Sequence, residues 1–260
     1  MIAHLWRALR RRRDARTLAR RPIPDALWAL TLARFAFLSR RSAEDLMQLR
    51  EMATLFLARK EFTGPGDSPI TDAMAVAVAA QACLPVLKLG LDWYDGFVGI
   101  VIHPDAVQAR REHIDEIGVV HEYDEELTGE AMDGWPLMLS WRDVADAGES
   151  AEWGYNVVIH EFVHVIDMRD GVADGTPPLA SRAERDHWRG VLQTHFVELC
   201  EQVDAGEETF LDPYGAQAPD EFFAVASETF FVAPQDLRAE HPALYGLLAG
   251  FYRQDPAATA

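Results

Sequence analysis

Cysteine is scarce. Cys83 and Cys200 are the only two in 260 residues. Two thiols cannot staple a chain of this length into a disulfide framework, so the expectation is a reducing, cytoplasmic setting and a fold held by its own core. Positive charge is also short, 24 Lys and Arg against 42 Asp and Glu, for a formal net charge of -18. That balance argues against a nucleic-acid backbone as partner, whose phosphates call for a basic face. No apolar run resembles the ~20 nearly uninterrupted residues of a spanning helix. The longest candidate, Ala73 to Leu91, is broken by Gln81, Pro85 and Lys88 and reads as a buried helix ending near Pro85. The first residues lack the apolar stretch of a secretory signal, and internal repeats and low-complexity segments are missing as well. What is present, 49% hydrophobic and 25% charged residues, is globular material sufficient for a substantial core.

The charge is uneven. Arg7, Arg10, Arg11, Arg12, Arg13, Arg16, Arg20 and Arg21 face only Asp14 in the first 22 residues. This gives a basic N-terminal arm over 1–22 and an acidic body over 23–260, with the arm free to meet anionic lipid, an acidic partner or the body itself. Beyond Pro24, apolar spacing predicts a helix over Asp25 to Leu38 and a second opening at Ser42 and running past Leu57. Thr71 caps the Ala-rich helix. Strands are expected at Phe97 to His103, Ile117 to Tyr123 and Leu137 to Trp141, and helices at Trp188 to Gln202, Pro219 to Phe231 and Leu244 to Tyr252. The class is therefore α+β, a small sheet followed by a mainly helical C-terminal part.

The chemistry is concentrated in His160-Glu161-Phe162-Val163-His164. Residues four apart share a helix face, so His160 and His164 can direct two imidazoles at one ion, and zinc takes such nitrogens in open hydrolytic sites with three protein ligands. Glu161 beside it is a candidate general base for an attacking water. The surrounding Val157, Val158, Ile159, Phe162, Val163, Val165 and Ile166 read as a buried helix, in which two imidazoles and a carboxylate are costly unless an ion pairs them. A third ligand must come from elsewhere. The segment Asp167 to Gly175 carries no histidine at the metzincin spacing, which leaves a carboxylate on another helix. Glu221 and Glu228, seven apart and on one face beside small Ala224, both qualify.

Four blocks in order resemble the Mlc titration factor A family: Leu84 to Phe97, His160 to Asp167, Asp212-Pro213-Tyr214-Gly215 with Asp220 to Phe231, and Phe251 to Pro256. The likeness runs from about Ile23 to Pro256; His103-Pro104 replaces an expected Tyr-Pro, and the Arg-rich first 22 residues have no expected counterpart. The resemblance implies a zincin-like, gluzincin-type zinc metallopeptidase, cytoplasmic and with aminopeptidase activity on small substrates. It implies His160, His164 and Glu221 as zinc ligands, Glu161 as general base and Tyr214 as an oxyanion donor near the metal. It also leaves Glu228 and Asp167 as residues able to orient a ligating imidazole. A transcriptional repressor as binding partner is the other function that it implies. A peptide substrate is expected along Leu137 to Trp141, read as an edge strand.

Overall fold

Side-chain caps mark several of the helix starts, because the first N–H groups of a helix lack intrahelical acceptors. The computed structural model describes residues 2–66, 68–104, 107–114, 120–127, 129–130, 136–151 and 154–259. The Arg-rich segment is helix α1 (Ile2–Arg20). In place of one helix to Leu38 there are two, α2 (Asp25–Arg34) and the single turn α3 (Ala36–Ser39), parted by Phe35 at φ -113 and ψ 80. Helix α4 (Ala43–Leu57) begins where the Ser42 hydroxyl accepts from Asp45 N–H at 3.1 Å. A short strand, β1 (Glu61–Thr63), precedes α5 (Asp72–Cys83), which Thr71 caps. A 3₁₀ turn at Leu91–Tyr94 then leads to β2 (Gly99–His103), β3 (Val107–Ile114), β4 (Val120–Leu127), β5 (Gly129–Glu130) and β6 (Leu137–Ser140). Helices α6 (Trp141–Ser150), α7 (Val157–Asp167), α8 (Arg182–Ala205), α9 (Pro219–Val232), α10 (Pro234–Glu240), α11 (Pro242–Tyr252) and α12 (Pro256–Thr259) complete the chain. Ser181 and Glu184 form a reciprocal capping box on α8, and Gly206 ends that helix in the left-handed region.

The strands order themselves as β1-β2-β6-β5, the first three parallel and β5 antiparallel to β6. Ile100 pairs with Leu137 and Ile102 with Leu139, and all four are buried. One expectation changes here. Leu137 to Trp141 is not an edge: β6 bonds β2 on one side and β5 on the other, and Trp141 already belongs to α6. Of the expected strand Ile117 to Tyr123, Val120 to Tyr123 lies in β4, antiparallel to β3, and residues 117–119 lie outside the described part.

Helix α7 sits at the centre, packed against α5, α6, α9 and β6. Phe162, pointing away from His160 and His164, meets Phe56 at 5.6 Å, Tyr94 at 4.9 Å and Phe97 at 5.9 Å between ring centroids. Beyond that cluster a cavity of about 430 Å³ lies between α1 and α4, lined by Arg13, Arg59 and Lys60 among others, and holds none of the histidines. The arm meets the body itself. Helix α1 packs on α4, Asp14 pairs with Arg59 at 2.9 Å, and Arg10 pairs with Asp92. No described helix is long and apolar enough to cross a membrane.

Asn156, fully buried, fixes where α7 starts: its Oδ1 accepts from Ile159 N–H at 2.9 Å and its Nδ2 donates to Gln81 Oε1 at 2.8 Å. Replacing Asn156 by Ala removes the cap and leaves the buried Gln81 oxygen unpaired. The expected loss is roughly 2–4 kcal/mol in urea unfolding, about 1 from the cap and the rest from the orphaned group. A loss below about 0.5 kcal/mol would show that the network is not structural.

Candidate metal centre

One turn of α7 separates His160 from His164, and the two rings lie 4.8 Å apart at 76°. Their Nε2 atoms are 3.1 Å apart. From the first turn of α9, Glu221 brings Oε2 to 2.9 Å from His160 Nε2 and 3.4 Å from His164 Nε2. One ligand atom from each of the three residues lies within 4.8 Å of the other two. Pro219 at the start of α9 costs no hydrogen bond, since that N–H would be unpaired anyway.

The other end of the same face of α9 holds His160 from behind. Glu228 Oε1 accepts from His160 Nδ1 at 2.7 Å, and its Oε2 accepts from Asn156 N–H. In the neutral ring that selects the tautomer with the proton on Nδ1, so that Nε2 presents a lone pair to an ion in the site. Asp167, the other residue read as able to orient an imidazole, does something else. Its Oδ2 accepts from Gly175 N–H at 2.8 Å. Gly175 has φ +72, and a Cβ there would stand 2.4 Å from the Pro219 carbonyl oxygen, so the loop presses directly on the start of α9.

Three carboxylates surround two imidazoles, and the surroundings drive them apart. Burial pushes Glu161 up to about 7 against the pull of His160 and His164. Burial likewise raises Glu228, with His160 opposing. For Glu221 burial is overcome: hydrogen bonds from His160 and His164 hold it well below the usual carboxylate range. His160 is raised, its burial outweighed by Glu228, Glu221 and Glu161. Among the described residues no Lys or Arg pairs with these acids. Glu161 is 3% exposed, and its Oε2 is buried without a hydrogen-bond partner. Converging nitrogen and oxygen donors, a cluster of acids that no described Lys or Arg pairs with, and an orphaned carboxylate oxygen together fit a divalent cation.

Tyr214 reaches the same place from the 3₁₀ turn Pro213–Ala216, where Asp212 accepts from its N–H at 2.9 Å. Its ring lies 5.9 Å from that of His160, and its hydroxyl donates to Glu221 Oε1 at 3.5 Å. Of the residues singled out from the sequence, His160, His164, Glu221 and Tyr214 thus stand together, with Glu161 next to His160 on α7 and Glu228 behind it. Asn156 and Gln81 did not figure in that reading as parts of the site. An Asn directly before an apolar helical run is a cap signal that would have found the first.

A family model described as glucose-regulated metallo-peptidase M90 matches residues 6–253. The chain belongs to the M90 metallopeptidase family. An uncharacterized protein of Synechocystis sp. is 36% identical over 240 residues, 92% of this chain and 87% of that protein. Mlc titration factor A of Edwardsiella ictaluri is 36% identical over 216 residues, 82% of both chains, and that of Klebsiella pneumoniae is 34% identical over 233, 89% of this chain and 87% of that one. The M90 match begins inside the Arg-rich segment, so most of the arm does have a counterpart in the family, contrary to the expectation from the sequence.

The bridge through Glu228 generates a stability test in chelator-treated protein. Its side chain is 2% exposed and that of Glu221 is 19%. Glu228→Ala should cost about 3–5 kcal/mol, because it strands a buried imidazole and a buried N–H, and Glu221→Ala distinctly less. Urea midpoints in the opposite order would refute the view that Glu228 joins the two helices.

Proposed function

We propose that this M90 chain is a zinc-dependent peptidase in which His160, His164 and Glu221 hold the ion and Glu161 is the general base. The observation that carries the proposal is the convergence of three ligand atoms within 4.8 Å beside the unpaired buried oxygen of Glu161. Bound there, zinc supplies Lewis acidity at the scissile carbonyl. Glu161 takes a proton from the attacking water and passes it to the departing amine. Tyr214, at the rim of the site and 40% exposed, donates its hydroxyl to the developing oxyanion. Glu228 keeps the His160 ring in place.

Aminopeptidase-like trimming of small peptides is the finer form of this reading, supported by the family resemblance of the sequence blocks. An extended peptide fits best along β5, which pairs only with β6 among the described residues and packs against α7. Residues 23–260 form the peptidase domain in this proposal, with the 1–22 arm as a brace on α4. A cytoplasmic location accords with the two free thiols. The relatives named Mlc titration factor A support a second reading, in which this chain binds a transcriptional repressor, with or without hydrolysis.

Glu221→Ala should strip the tightly held zinc, whereas Glu228→Ala should weaken it about 10–100-fold. Elemental analysis after dialysis at graded zinc concentrations checks that order, and the reverse order would exchange the two assignments. Glu161→Gln keeps shape and ligands, so zinc should stay while turnover of aminoacyl and peptide reporters falls at least about 10²–10⁴-fold. Tyr214→Phe should lower kcat about 10²–10³-fold with little change in KM. If both variants match wild type in turnover, the peptidase reading gives way to the repressor-binding one, which a direct pull-down with the purified repressor then tests.

A further inference from the structure

Away from this centre, a second set of ligating side chains comes together. His195 and Glu198 stand three residues apart on α8 and share a face; His195 Nδ1 lies 2.9 Å from Glu198 Oε2. His241, between α10 and α11, brings its ring to 5.2 Å from that of His195, nearly perpendicular at 85°. One ligand atom from each of the three lies within 4.8 Å of the other two, the same span and the same donor set as His160, His164 and Glu221.

An ordinary surface His–Glu pair accounts for His195 and Glu198 but not for His241. The His241 ring is half-buried, with Phe210 at 5.6 Å beside it, and it hydrogen-bonds to no described residue. Glu198 is half-exposed, which leaves an entry path from solvent. We propose that His195, Glu198 and His241 form a second site for a divalent transition-metal cation of the zinc type, tying α8 to the junction of α10 and α11. Two imidazoles with one carboxylate favour such an ion over magnesium or calcium, which take all-oxygen sets. The site is more open than the first and exchanges its ion more readily.

The tie reaches the first centre through packing. Phe196, next to His195, meets Phe222 at 5.9 Å, and Phe222 is next to Glu221. Helix α8 also packs on the 3₁₀ turn that carries Tyr214. An ion at the second site therefore braces the helix that backs two residues of the first. The inference does not rest on the peptidase reading.

The test uses the full chain, stripped with a chelator and dialysed against graded free Zn²⁺, with bound metal measured by elemental analysis. Wild type should take two equivalents, the second more weakly. His195→Ala and His241→Ala should each lose the weaker equivalent and keep the tight one, while Glu221→Ala should show the converse. The rise of Tm with added Zn²⁺ above the first equivalent should vanish in His241→Ala, and in His241→Gln if the Ala variant is perturbed by circular dichroism. Mg²⁺ should not replace Zn²⁺ at the second site. Saturation of wild type at one equivalent that both histidine variants retain, two equivalents retained in both histidine variants, or equal filling by Mg²⁺ would each overturn the proposal.

Discussion

The carboxylate of Glu228 is the tie on which the site depends. Each of its oxygens has a partner on α7, one the backbone N–H of Asn156 and the other the ring of His160. Burying a carboxylate costs several kcal/mol unless its lone pairs are satisfied. Here both are, and the positive end of the α7 dipole lies at the same place. The two helices are thereby set in register as well as pressed together. Because the bonds end on the cap of α7 and on a histidine one turn into it, neither rotation nor sliding of α9 is free. Glu221, two turns earlier on α9, inherits its position from that constraint.

The same arrangement divides the work among chemically identical groups. Glu161, Glu221 and Glu228 are all glutamates within one small volume, yet burial raises two of them and the imidazoles hold the third low. Position relative to the two rings decides which. Glu221 faces the Nε2 atoms directly, whereas Glu161 is sealed away with one oxygen unpaired. A group facing the two rings, a sealed group with a free oxygen and a structural anchor are thus made from one side-chain type.

Local pattern carried much of this in the sequence. The His160–His164 spacing, the all-round apolar character of α7 and the shared face of Glu221 and Glu228 follow from helical periodicity alone, and the caps at Ser42 and Thr71 follow from residue type. What escaped was decided at a distance. Whether β6 is an edge depends on β5, and Gly129–Glu130 is too short to show any alternation. Asp167 and Glu228 were equally plausible supports for an imidazole; the choice was made by the approach of α9, which leaves Asp167 to Gly175 instead. β1, at three residues, lies below the length at which a strand pattern can be distinguished from a loop. Tyr214 carried no periodic signal, and only family resemblance pointed to it.

Gly175 shows what such a tertiary choice entails. The histidine-bearing and glutamate-bearing helices are gauged against each other by a position that has no side chain. Asp167 grips its N–H on one side, and on the other the Pro219 carbonyl stands where a Cβ would be. Any larger residue there acts as a shim, lifting the first turn of α9 while every ligand remains chemically intact. Variation in this M90 chain can therefore detune the centre without touching it. The affinity of the metal site is open to adjustment from a loop residue eleven positions beyond His164.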